Sequence, residues 1–121
     1  MAKILVIDDE LEILELFKAL LEDAGHEVHT CSSGRLAWDA IAQTRPDMVI
    51  LDVMLPGVDG ISIQTRMAHE RETQAIPIVI MTALSPTQTL FDKAPNVVGF
   101  LRKPFRAEDI LSKIQSVLKS A

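Results

Sequence analysis

Cysteine is nearly absent: Cys31 is the single one in 121 residues. That excludes an intramolecular disulfide and a cysteine metal cluster, and it fits a reducing compartment. Long apolar runs are missing too. The longest uninterrupted runs, such as residues 4–7 and 48–51, fall far short of the roughly 20 residues that span a bilayer. The N-terminal apolar run carries one lysine and meets Asp8 and Asp9 too early to form a signal-peptide core, so no membrane association and a cytoplasmic location are expected. There is no excess of basic charge. The formal net charge is −5 and Lys and Arg are scattered, which argues against direct nucleic-acid binding by these residues. No linker, repeat or low-complexity stretch interrupts the chain, and 48% apolar content suffices for one core, so a single domain over residues 1–121 is expected.

What is present alternates. Residues 3–8 form a short β-branched apolar run of the kind that strands buried on both faces require. Residues 10–24 follow with Ile13, Leu14, Phe17, Leu20, Leu21 and Ala24 at helical spacing, and Gly25 stands where a C-terminal glycine cap would sit. The pattern repeats as strand 27–31, helix 34–44, strand 47–52, helix 60–71, strand 76–82, strand 97–102 and helix 107–119. Residues 86–94 should supply a further helix, yet the segment is short, opens at Pro86 and ends before Pro95. Strand–helix alternation of this kind predicts an α/β fold, a doubly wound parallel sheet with helices on both faces.

Parallel α/β sheets bind ligands at the carboxyl ends of their strands. Here those ends carry Asp8 and Asp9, Asp52, Thr82, and Lys103 followed by Pro104. Three carboxylates gathered at one edge repel and push at least one pKa upward unless a hard divalent ion relieves them, and Mg²⁺ suits an all-oxygen site that keeps positions open. With such an ion on one side and Lys103 on the other, Asp52 on the middle strand can attack phosphorus while both cations neutralise the transferring group. Thr82 would donate its hydroxyl to a phosphoryl oxygen, giving a conformational readout.

Four motifs carry a family resemblance: Val-Ile-Asp-Asp-Glu (6–10), Leu-Asp-Val-Met-Leu-Pro-Gly-Val-Asp-Gly (51–60), Met-Thr-Ala (81–83) and Lys-Pro-Phe (103–105). In this order the chain resembles a response-regulator receiver domain of two-component signalling. The resemblance implies a single five-stranded flavodoxin-like sheet with strand order 2-1-3-4-5. It implies Asp52 as phosphoryl acceptor, and Asp9 and Asp52 as direct Mg²⁺ ligands. Asp8 would act largely through water, and the Met54 backbone carbonyl would complete the set. Thr82 and Lys103 become the phosphoryl-recognition pair, Phe100 the aromatic switch, and the Lys103–Pro104 bond cis. The donor would be a histidine kinase or histidine phosphotransfer protein, and the domain would catalyse its own phosphorylation and dephosphorylation rather than turn over a substrate; no motif identifies the output partner. Met54 and Leu84 would border the attacking water's route, and neither can orient water, which implies a long-lived phosphoryl group.

Plainer readings stand beside these. Asp8 and Asp9 could serve only as a helix N-cap, and Pro56-Gly57 and Asp59-Gly60 read as turn chemistry that shapes the loop after Asp52. His26, His29 and His69 lack metal-ligand spacing. Trp38 and Cys31 read as packing residues. An aspartyl-phosphate phosphohydrolase resembling the haloacid dehalogenase group would carry Asp-x-Asp, whereas Asp8 and Asp9 are adjacent. A phosphorylation-independent module of the same fold would have no use for Asp52, Thr82 and Lys103. Finally, residues 94–100 depart from the receiver pattern, which predicts a short or irregular fourth helix and an unusual output face, with Val97 and Val98 as plain core strand in the bland alternative.

Overall fold

A computed structural model of the protein describes residues 2–55, 60–82 and 94–120. Five parallel strands, β1 (Lys3–Ile7), β2 (Glu27–Cys31), β3 (Met48–Asp52), β4 (Ile78–Thr82) and β5 (Val97–Arg102), form one sheet in the order β2-β1-β3-β4-β5. The described helices are α1 (Leu11–Asp23), α2 (Gly34–Thr44), α3 (Gly60–His69) and α4 (Ala107–Ser120). The expected α/β fold and strand order are therefore what the protein adopts.

Every residue of β3 and β4 is buried, because successive side chains point to opposite faces and helices cover both. On one face Ile4, Val6, Met48, Ile50, Val79 and Met81 meet Leu14, Phe17 and Leu21 of α1 and Ile110, Ile114 and Val117 of α4. On the other, Leu5, Ile7, Val49, Leu51, Ile78 and Ile80 meet Ala37 and Ile41 of α2 and Ile63 and Met67 of α3. The odd and even residues of the same strands thus belong to different cores.

Local sequence sets the helix ends. Gly25 has φ of 95°; its N–H donates to the Glu22 carbonyl at 3.0 Å and that of His26 to Leu21 at 3.0 Å. These two hydrogen bonds around the glycine satisfy carbonyls that the end of α1 leaves open. Ser33 caps α2, its hydroxyl accepting the Arg35 N–H at 3.2 Å. β4 begins two residues later than expected because Pro77 has no N–H to pair, although its carbonyl accepts Val49 N–H at 3.0 Å.

β5 is irregular where the sequence departs from the family pattern. Ile78 pairs with Val97 and Val79 with Gly99, so Val98 is left over, and it is 47% exposed. The plain core-strand reading thus holds for Val97, which packs against the core, and fails for Val98, which a bulge turns outward. The expected irregular helix at residues 86–94 lies, but for Ala94, outside the described residues. The Lys103–Pro104 bond is cis, as the resemblance implies.

Candidate functional site

Asp52 is the last residue of β3, which pairs with β1 on one side and β4 on the other. Its side chain is 3% exposed, and Oδ1 accepts the Met54 N–H at 3.0 Å. The start of α3 presses on this residue. A Cβ built on Gly60 would lie 2.5 Å from the Asp52 carbonyl oxygen and 2.8 Å from Val53 Cα, and the Gly60 N–H donates to the Val53 carbonyl at 3.0 Å. Reading Gly60 as turn chemistry therefore understates it: the helix reaches the end of β3 only because no side chain intervenes.

Asp8 follows β1 and is fully buried. Its N–H donates to the Cys31 carbonyl of β2 at 3.1 Å, and its Oδ1 accepts the Glu10 N–H at 2.8 Å. That bond closes a turn just before α1 and is not the N-cap of the plainer reading, since the N-cap is Glu10 and no side chain caps it; it uses one oxygen of Asp8. The other, Oδ2, is buried without a hydrogen-bond donor; Lys103 Nζ lies 3.2 Å away, close enough for charge attraction but outside hydrogen-bond geometry.

Lys103 closes the site from β5. Its backbone N–H donates to the Thr82 carbonyl at 2.8 Å, which ties the ends of β4 and β5 together. Its ammonium sits 3.3 Å from Asp52 Oδ2 and 3.2 Å from Glu10 Oε1. Glu10 ends the first motif, Val-Ile-Asp-Asp-Glu, where the sequence pattern assigns it no role; its place beside the acidic pair is the one signal that points to it.

The electrostatics follow from this crowding. Burial first, and the Asp52 charge after it, push the Asp8 pKa from 3.8 to about 6, against the opposing pull of the Glu10 N–H and of Lys103. Burial works against the Lys103 ammonium, but the charges of Asp52 and Asp8 outweigh it and raise its pKa. One acid raised among three strand-end carboxylates is the strain that the sequence anticipates.

The residues fit a hard divalent ion. Asp8, Asp9 and Glu10 place carboxylate oxygens within 4.8 Å of one another, the donors are all oxygen, and the buried Asp8 Oδ2 has no hydrogen-bond donor and only a share of the Lys103 ammonium against its charge. Asp52 joins this cluster through Lys103 rather than within that spacing. Met54, whose carbonyl the resemblance adds, follows in the loop with its side chain 61% exposed. Thr82 is buried at the end of β4. Phe100 pairs with Ile80 across the sheet and packs partly buried against one core. Leu84 and residues 56–59 lie outside the described residues.

The remaining candidates are placed elsewhere. His26 Nδ1 accepts the Ala2 N–H at 3.1 Å, burial lowering its pKa. His29 contacts Glu27 on β2 at 2.6 Å. Trp38 is partly buried with the Arg66 guanidinium 3.8 Å from its ring centroid, and Cys31 is buried with its thiol directed at the Ser33 carbonyl.

Comparison with known proteins agrees with this geometry. A family model described as the response regulator receiver domain matches residues 4–115. The chain is 32% identical to protein PilH of Pseudomonas aeruginosa, covering 98% of each. It is 34% identical to the DNA-binding dual master transcriptional regulator RpaA of Synechocystis, covering 98% of this chain and 50% of that protein. Among solved structures, the chemotaxis response regulator CheY4 of Vibrio cholerae superposes with a TM-score of 0.88 at 32% identity, over 97% of this chain and 98% of that one. The chain thus spans half the length of RpaA and nearly all of PilH.

Proposed function

This chain belongs to the response regulator receiver domain family, and from that premise we propose that Asp52 accepts a phosphoryl group in a reaction that Lys103 and a bound Mg²⁺ assist. The observation that carries the reading is the Asp52 carboxylate at the end of the central strand with Lys103 Nζ at 3.3 Å and the orphaned Asp8 Oδ2 across the same pocket. Asp8, Asp9, Asp52 and the Met54 carbonyl would hold the ion, which when bound supplies divalent charge against the phosphoryl oxygens.

An Asp52 oxygen forms the new bond to phosphorus as the bond to the donor's leaving group breaks. The electron pair leaves with that group, the imidazole of a phosphohistidine or the acetate of acetyl phosphate. Lys103 follows the charge from the carboxylate to the phosphoryl oxygens, so the buried ammonium keeps an anionic partner throughout. Thr82, at the end of β4, donates its hydroxyl to a phosphoryl oxygen, and Phe100 on the neighbouring strand responds through the altered packing. In this reading residues 1–121 form one receiver domain that catalyses its own phosphorylation and dephosphorylation. Its donor is a histidine kinase or histidine phosphotransfer protein, and it works in the cytoplasm. No helix among the described residues is long and apolar enough to cross a membrane.

The test is intact-mass spectrometry after incubation with acetyl phosphate and Mg²⁺. Wild type gains one phosphoryl group, while Asp52→Asn and chelation each abolish the gain. Equal labelling of the Asn variant would remove Asp52 as the acceptor.

A further inference from the structure

We propose that Glu10 is a positioning residue that anchors the Lys103 ammonium at the mouth of the acidic pocket, strengthening divalent-cation binding while restraining phosphorylation by an anionic donor. The proposal rests on the phospho-acceptor reading of the same site.

Lys103 Nζ is shared among three carboxylates at nearly equal distance: 3.2 Å to Asp8, 3.2 Å to Glu10 and 3.3 Å to Asp52. They are not equivalent. The Asp8 and Asp52 side chains are buried, whereas that of Glu10 is 59% exposed. Hydrogen bonds go to Glu10 and Asp52, and the buried Asp8 Oδ2 receives none. The ammonium lies almost equally near the two buried acids, and Glu10 holds it at the same distance from the solvent side.

Helix capping does not account for Glu10. It occupies the N-cap of α1, but its side chain makes no cap hydrogen bond, and glutamate is not among the residues that cap well. The side chain reaches instead to a residue 93 positions away in sequence.

Two consequences of opposite sign follow. A cation entering beside Asp8 repels the Lys103 ammonium, and Glu10 offers that ammonium a place to remain, so the displacement is less costly; the carboxylate also adds its own attraction for the ion. An incoming phosphodonor is anionic, so Glu10 opposes its approach and competes for the lysine that must follow the phosphoryl group.

The test compares wild type, Glu10→Gln, Glu10→Asp and Asp52→Asn. Cation affinity is measured by Mg²⁺ titration calorimetry with no phosphodonor present, Lys103 side-chain order by NMR relaxation, and labelling by acetyl phosphate at saturating Mg²⁺. Glu10→Gln should weaken Mg²⁺ binding about three- to tenfold, given the modest worth of a partly exposed charge, and loosen the Lys103 side chain. It should also accelerate saturated labelling about two- to fivefold, a gain that shrinks as salt screens the charge. Glu10→Asp should fall between wild type and Glu10→Gln in all three. Because Glu10 is exposed, the unfolding midpoint reports whether the fold is kept.

A fall in both affinity and saturated labelling would assign Glu10 a merely structural role and overturn the proposal, as would unchanged Lys103 order or unchanged Mg²⁺ affinity. If wild type and Asp52→Asn label alike, the phospho-acceptor reading fails separately, and the calorimetric and NMR measurements still decide whether Glu10 anchors Lys103.

Discussion

Replacing Asp8 by Asn should stabilise the metal-free protein at neutral pH, although it removes a buried carboxylate from a salt-bridged cluster. The acid has a folded pKa of about 6 against an ordinary 3.8, so between those values the folded protein holds a proton that the unfolded chain has released. Stability from this group is therefore fully present below pH 3.8 and is lost as the pH rises through 6. At about 1.4 kcal/mol per pH unit, keeping Asp8 ionised at pH 7 costs about 3 kcal/mol. Asparagine keeps the shape, can still accept the Glu10 N–H, and carries no charge to hold in the pocket. Lys103 retains Asp52 and Glu10 as partners. The gain corresponds to a Tm rise on the order of 10 °C for a domain of this size. Urea unfolding in chelator at pH 4 and pH 7 is the assay. Asp8→Asn should exceed wild type at pH 7, with the advantage largely gone at pH 4. Added Mg²⁺ should stabilise wild type more than the variant, by about 2.7 kcal/mol at a hundredfold excess over Kd for a one-site ion that binds only the folded form. A variant less stable than wild type by the same amount at both pH values would refute the reasoning, because it would make the ionised Asp8 a net stabiliser.

Gly60→Ala should destabilise the fold by about 1–3 kcal/mol, the ordinary cost of overpacking, because its Cβ would meet the Asp52 carbonyl oxygen at 2.5 Å; an unchanged urea midpoint would show that α3 withdraws freely. In a phosphoryl-loss time course after donor removal, the Met54→Asn, Leu84→Glu double variant should lose the group faster than wild type, since both new side chains can orient water. Equal rates would mean that these positions do not set the lifetime.

Much of the fold was legible because its signals are local. Apolar runs marked β1 and β3, helical spacing marked α1 with Gly25 as its stop, and the strand ends carried Asp8, Asp52, Thr82 and Lys103 in readable order. Parallel connection then places strand ends on one edge, so the order of residues along the chain is enough to say which of them gather there. It did not determine what they do to one another. Asp8 becomes the acid of raised pKa because β2, at its neighbouring position, and the rest of the pocket remove water from it, a property of enclosure and not of any pattern around residue 8. Lys103 divides itself among carboxylates 93 and 51 residues distant, and no periodicity specifies which oxygens its ammonium reaches. Gly60 looked like a turn residue because its constraint is the backbone of Asp52 and Val53, brought against it only when α3 docks. The β5 bulge that exposes Val98 depends on register with β4. Strand and helix patterns repeat over a few residues, whereas distance and desolvation are set between segments far apart in the chain, so tertiary structure alone decided the charges and clearances of the site.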